Sequence, residues 1–284
     1  MFIFLMALFF IANTASRLLI RVFAQKTQLD PYHASLAILL PSYLFGVVYG
    51  LSQQEQPLFE GFTPMLALMV LFMGVAQVVS GKVSMITQKH IETASFMVIR
   101  SMSTPASVMV STLFLGEGLT LPQFLGMVGI VIGAIAVSTG GKAPHIKHVG
   151  RYELLTLANA VFMGTYVVFN RFLIEQTSLS TLLVVFAGIE LTPLLVTIAR
   201  RPLIKPTTLD IRLSLGIGIA SVVHIIAFWL AVELVDNVAL VSSLVAFRVV
   251  TVFAGSYFIL GEKSDIRQKV IGSIMATAGC YIIS

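Results

Sequence analysis

The sequence predicts an all-α integral membrane protein, with ten transmembrane helices arranged as two inverted five-helix repeats. Three observations carry that prediction. The composition is 57% hydrophobic and only 11% charged, with a mean hydropathy of +0.95, which is that of a chain living mostly in hydrocarbon. The chain also divides into mostly apolar stretches of about the 20 residues that a spanning helix needs. Finally, Phe96–Glu117 and Val241–Glu262 read as copies of one another, each threading one arginine through an apolar helix and closing on Leu-Gly-Glu.

The spans fall at 2–24, 32–51, 63–86, 91–115, 121–139, 151–174, 180–199, 211–233, 237–260 and 266–284. They are helices because runs such as Phe124–Val137 are apolar on successive residues, where a barrel strand would alternate. The first has no basic segment before it and carries Arg17, Arg21 and Lys26 at its far end, so it reads as a retained span and not a cleaved signal. Arg17 and Arg171 lie nearer their helix ends and are expected to snorkel toward headgroups as interface anchors. Pro41, Pro105 and Pro193 interrupt the second, fourth and seventh spans, as bending points for gating or as static kinks. In the fifth span Gly126, Gly129 and Gly133 make one narrow face, and Gly272, Ala276 and Gly279 do so in the tenth. Small residues let helices approach closely, so these faces are expected to pack within the molecule. Cys280 is the lone cysteine, which excludes an intramolecular disulfide.

Net charge is +5, but the basic residues are not clustered as nucleic-acid binding requires. They follow loop parity instead. Arg21 and Lys26, Lys89, then Lys142, Lys147 and Arg151, then Arg200, Arg201, Lys205 and Arg212, and finally Lys263, Arg267 and Lys269 sit at odd-numbered connections. Even-numbered connections carry Glu55, Glu60, Glu117, Glu175, Glu233 and Asp236. The positive-inside rule then puts the odd connections in the cytoplasm and both termini outside.

Aligning Leu115-Gly116-Glu117 on Leu260-Gly261-Glu262 brings Ala94 onto Ala239 and, after a one-residue adjustment, Gly126 onto Gly272 and Gly133 onto Gly279. Ser16-Arg17-Leu18-Leu19 likewise resembles Asn170-Arg171-Phe172-Leu173, and Pro41 parallels Pro193. An odd number of helices per copy forces the second to enter the membrane the other way round. The expected division is a first repeat over 1–139, a linker over 140–150 and a second repeat over 151–284.

Ten spans in two halves, each fourth helix ending in Leu-Gly-Glu and leading into a glycine-spaced fifth, resemble the EamA-type members of the drug/metabolite transporter superfamily. The resemblance implies movement of small metabolites, often outward, by alternating access and without ATP hydrolysis. It also implies a central cavity. Members of that family have both termini in the cytoplasm, whereas the loop charges here predict the reverse.

Arg100 and Arg248 fall near mid-membrane in the fourth and ninth spans, where an arginine costs roughly 2.5–3.5 kcal/mol on insertion scales. Relative to Leu-Gly-Glu they are offset by three residues, close to one turn, so they project from similar faces. Two cationic anchors for a carboxylate or phosphate are one reading; pairing with an internal acid or a helix-end carbonyl is the other. Glu190 is the acid deepest in a span and the candidate for proton coupling, since a carboxyl group out of water can trade its charge for a proton. A structural salt bridge, or a neutral acid bonded to backbone freed by Pro193, is equally compatible. His224 titrates near neutrality when unperturbed, as a pathway residue or a packed, hydrogen-bonded one. Asn13, Gln77, Asn159 and Tyr166 add uncharged hydrogen-bonding groups at depth, either in a cavity or as glue between helices.

The candidate substrate-binding set is therefore Arg100, Arg248, Asn13, Gln77, Tyr166 and His224, with Glu190 for protons. No metal, cofactor or nucleic-acid partner is expected; membrane lipid, a small metabolite, and a proton or counter-solute are, and the chain is expected to be monomeric. No GxxxxGK[ST] motif is present to drive transport by nucleotide, and the absence of HExxH and of paired acids in the spans argues against an intramembrane enzyme. The reading is a secondary transporter in a bacterial plasma membrane, exporting a small anionic or zwitterionic metabolite such as an amino acid or organic acid. A lipid or lipid-linked sugar flippase and a non-transporting assembly protein remain as alternatives.

Overall fold

The computed structural model describes residues 1–52, 63–115, 118–138, 150–176, 181–202, 204–235 and 247–283. The linker up to His148 and Val149, Gly116 and Glu117, and the first part of the ninth span lie outside the described residues. The regular structure within them is entirely helical. In chain order the helices are α1 Phe2–Lys26, α2 Pro31–Ser52, α3 Pro64–His90, α4 in two pieces at Thr93–Arg100 and Ser103–Leu115, α5 Leu121–Ser138, α6 Arg151–Gln176, α7 from a π-helical turn at Leu182–Phe186 into Ala187–Ala199, α8 Thr208–Val235, α9 Arg248–Ile259 and α10 Ile266–Ile283. Among the described residues, five apolar segments are long enough to cross a membrane: Phe2–Lys26, Pro31–Ser52, Pro64–His90, Leu121–Ser138 and Thr208–Phe228.

The side chains are distributed as hydrocarbon solvent dictates. Phe4, Ile11, Val48, Leu68 and Phe258 point outward, while Asn13, Ser16, Ser35, Ser80, Thr87 and Gln88 are buried. Apolar clusters fill the space between helices, among them Phe9 with Ala227 and Ala231 between α1 and α8, and Val98 with Val249 and Ala276 where α4, α9 and α10 meet.

The helix pairings recur in matched sets. α1 lies on α8 and α6 on α3; α2 lies on α8 and α7 on α3; α1 lies on α9 and α6 on α4; α4 lies on α5 and α9 on α10. Two further pairs, α4 with α9 and α5 with α10, join equivalent helices. Among the described residues the α5–α10 contact is the most extensive, and it uses the expected small-residue faces. A Cβ on Gly126 would sit 2.6 Å from the Gly279 carbonyl oxygen, and one on Gly279 would sit 2.5 Å from that of Gly126. Only glycine lets the two backbones meet there.

The span expected over 91–115, which Pro105 was expected to interrupt, breaks at Ser101 and Met102. Pro105 has no N–H to give to the carbonyl four residues back, Ser101, and its ring crowds that oxygen, a conflict worth about 3 kcal/mol in a continuous helix. The chain tightens instead. Thr104 N–H bonds to the Ser101 carbonyl at 2.9 Å and Met102 N–H to that of Ile99 at 3.1 Å, both with three-residue spacing.

At the face where α1 ends and α4 begins, polar contacts tie distant segments together. Arg21 pairs with Glu262 at 3.3 Å, and Lys269 pairs with Glu92. Asp30 starts α2, its Oδ1 accepting the Tyr32 N–H at 2.9 Å while its Oδ2 pairs with His33. Burial pushes the Asp30 carboxyl up, but the bonds from His33 and Tyr32 outweigh it and hold the group below the usual carboxylate range.

Candidate functional site

A cavity of about 450 Å³ lies among α1, α2, α3, α4, α6, α7 and α8. Its lining on α3 runs from Val70 to Gln88, about 27 Å at 1.5 Å per residue. That is close to the roughly 30 Å hydrocarbon thickness of a bilayer. Toward the α4 N-terminal end it is walled by Ser35, Ser80, Ser84 and Gln88, and Asn159 Nδ2 donates to Ser84 Oγ at 3.3 Å.

Two polar groups face this space. The first is basic: Arg17 from α1 and Arg100 from the last position of the first α4 piece. The helix break leaves Arg100 at the tip of a half-helix, with its guanidinium 5.8 Å from the Phe96 ring centroid. Arg248, the first residue of α9, is outside the lining, but its charge acts on both Arg17 and Arg100. Among the described residues no carboxylate pairs with Arg17, Arg100 or Arg248, and Arg17 Nε is buried without a hydrogen-bond partner. Buried cations are normally paired, and among the described residues this group is not.

The second group centres on Glu190. Tyr166 Oη donates to Glu190 Oε1 at 2.6 Å, and Tyr43 and Gln77 line the cavity beside the same carboxylate. Four helices thus converge on one acid: α2, α3, α6 and α7. Gly74 makes this convergence fit, because a Cβ there would fall on the Glu190 main chain.

Arg100, Gln77, Tyr166, Glu190 and His224 therefore line one cavity. Asn13 does not; it is 1% exposed with an unpartnered Oδ1. His224 Nδ1 lies 3.1 Å from the Ala220 carbonyl, an acceptor that fixes the proton on Nδ1 and leaves Nε2 as an acceptor in the neutral ring. Arg17 and Tyr43 are among the cavity residues that were not anticipated. Arg17, expected as an interface anchor, lines the cavity because α1 continues to Lys26, nine residues or about 13 Å further on, too far for its side chain to snorkel. Tyr43 gave one signal in the sequence: it is a hydroxyl-bearing residue two positions beyond Pro41.

Residues 150–284 match the model of the EamA-like transporter family. That C-terminal part of the chain is thus an EamA-like domain. A solved structure described only as a crystal structure of a protein superimposes on this EamA-like chain with a TM-score of 0.63, over 99% of this chain and 97% of its own, at 16% identity. At that identity the likeness concerns the fold alone. No curated protein matches. The EamA-like protein is thus an integral membrane protein of a transporter family, with apolar spans surrounding a polar interior.

Proposed function

We propose that this EamA-like protein is a secondary active transporter that carries a small anionic or zwitterionic metabolite, an amino acid or organic acid, outward by alternating access. One observation carries the substrate class: Arg17 and Arg100 face a cavity of about 450 Å³ with no described carboxylate to neutralise them. A carboxylate or phosphate brought by the solute supplies that charge, and guanidinium binds either bidentately. The outward direction rests on the family resemblance alone.

The helix pairings that recur between α1–α5 and α6–α10 support two inverted repeats, over 1–139 and 151–284, with 140–150 between them. Alternating access then follows from rocking one set against the other about a fixed site. The Glu190 carboxylate, held by Tyr166, is the proton-coupling group in this reading. The membrane is the bacterial plasma membrane, with the basic connections in the cytoplasm.

Purified protein in liposomes, loaded with a panel of amino acids and organic acids and assayed by counterflow, tests the reading. Specific exchange lost in Arg100→Ala supports it; exchange of every solute at the level of empty liposomes overturns it. A lipid or lipid-linked sugar flippase is the second reading, favoured by a separate crevice of about 470 Å³ lined by Met109, Leu113, Phe124, Val128 and other apolar residues of α4, α5 and α6. Scrambling of a fluorescent anionic lipid, without counterflow of any soluble solute, would select it.

A further inference from the structure

The first piece of α4, Thr93–Arg100, is a rod of eight residues that ends at the cavity and begins at the membrane face. Its far end is set free from the rest of the span by the break at Ser101. Its near end is gripped by residues from the junction of α9 and α10. Glu262 Oε2 accepts the Thr93 backbone N–H at 2.8 Å, one of the four amides a helix start leaves unpaired, and Glu262 Oε1 accepts the Thr93 hydroxyl at 3.2 Å. Beside it, Ser264 donates to Glu92 Oε1 at 2.8 Å and Lys269 pairs with Glu92. The flanks are buried as well, with Phe96, Val98 and Ile99 at most 1% exposed.

Glu262 reaches Thr93 only because of the residue before it. Gly261 takes φ of +70°, a left-handed conformation that other residues adopt with strain, and the turn folds the chain back so that Glu262 N–H bonds to the Ser256 carbonyl at 3.2 Å. The same carboxylate holds Arg21 of α1 at 3.3 Å, the helix that also carries Arg17.

We infer that Glu262, the glutamate of the second Leu-Gly-Glu, is a positioning residue: it fixes the base of the half-helix Thr93–Arg100, and of α1, so that Arg100 and Arg17 present their guanidinium groups together in the cavity. The inference rests on the proposed function in that Arg100 meets substrate there. It gives the motif a physical task, since glycine supplies the turn and glutamate the grip.

The test reads the placement of position 100 without needing the substrate. In a Cys280→Ala background, Arg100→Cys is labelled with an anionic methanethiosulfonate reagent in purified protein, and Ser42→Cys, a cavity position on α2, serves as the control. Glu262→Ala is expected to change the labelling rate at position 100 at least tenfold and that at position 42 less than twofold. Glu262→Gln, which keeps an oxygen acceptor for the Thr93 N–H, is expected to stay within threefold at position 100. Gly261→Ala leaves the carboxylate intact but strains the turn, so its expected change lies between the two, and it carries the test if Glu262→Ala does not fold. Equal labelling at position 100 across these variants overturns the inference. Counterflow that survives Arg100→Ala would instead remove Arg100 from the substrate site, and exchange no higher than in empty liposomes would remove the transport reading; in either case the labelling result would still report whether Glu262 sets the rod.

Discussion

Arg17 and Arg21 stand one turn apart on α1 and lead opposite lives. Arg21 meets Glu262 at 3.3 Å in a contact where both side chains are under 10% exposed. Arg17 lines the cavity with Arg100 and meets no carboxylate among the described residues. Both are buried guanidinium groups of one helix, so what separates them is the neighbour each was given. A paired cation holds the protein together, whereas an unpaired one facing a cavity stores an affinity for something that comes and goes.

That contrast can be broken most sharply by exchanging the two outcomes. Arg21→Ala leaves Glu262 buried without its partner, a change worth about 3–5 kcal/mol. The expected result is a large fall in thermal midpoint in detergent, and an unchanged midpoint would place the pair among weak surface bridges. Arg17→Ala removes no partner contact. It is expected to leave the midpoint within experimental scatter or raise it, while lowering counterflow about 100-fold, the rate equivalent of roughly 2.7 kcal/mol; a loss of stability with full counterflow would reverse the assignment.

Glu190 sharpens the comparison from the acid side. Glu190→Gln keeps an acceptor for Tyr166 but carries no titratable proton. Solute-for-solute exchange is expected to persist while uptake driven by a pH gradient falls at least tenfold. Loss of both together would make the residue a substrate contact instead. Pro105→Ala returns an N–H to the Ser101 carbonyl and is expected to change counterflow by a smaller factor, about five, by letting α4 close its break and shift Arg100. Circular dichroism showing a gain in helix would accompany it.

The smallest effect concerns Asp30. Its carboxyl is held low in the folded protein, so its contribution to stability is present above the ordinary carboxylate pKa and is lost as pH falls through the depressed one. Asp30→Ala, which removes the α2 cap, is expected to cost about 1 kcal/mol at neutral pH and less in acid. Thermal midpoints at two pH values check the sign.

The ten helices were legible because hydropathy and loop charge are properties of sequence order. So were Arg100, Gln77, Tyr166, Glu190 and His224 as polar groups at depth, and the glycine faces of α5 and α10. Whether such a group faces a cavity depends on which side of its helix meets which neighbour, and helical pattern says little when apolar residues surround it on all sides. Asn13 and Arg17 show the limit: they lie four residues apart on α1, and the one expected in the cavity is packed away while the other lines it. The break in α4 was readable in principle from Pro105, but a proline in a span signals only a kink or a rupture, and the choice is made by whether Ser101 and Met102 can find other hydrogen bonds.

The contact of α5 with α10 has a mechanical consequence. Where Gly126 and Gly279 meet carbonyl to backbone, with no side chain between them, there is nothing to rotate, compress or slide. In the alternating access proposed above, a seam of that kind would serve as the spine of a book, keeping two covers registered and leaving the swing to the broken and proline-bearing helices.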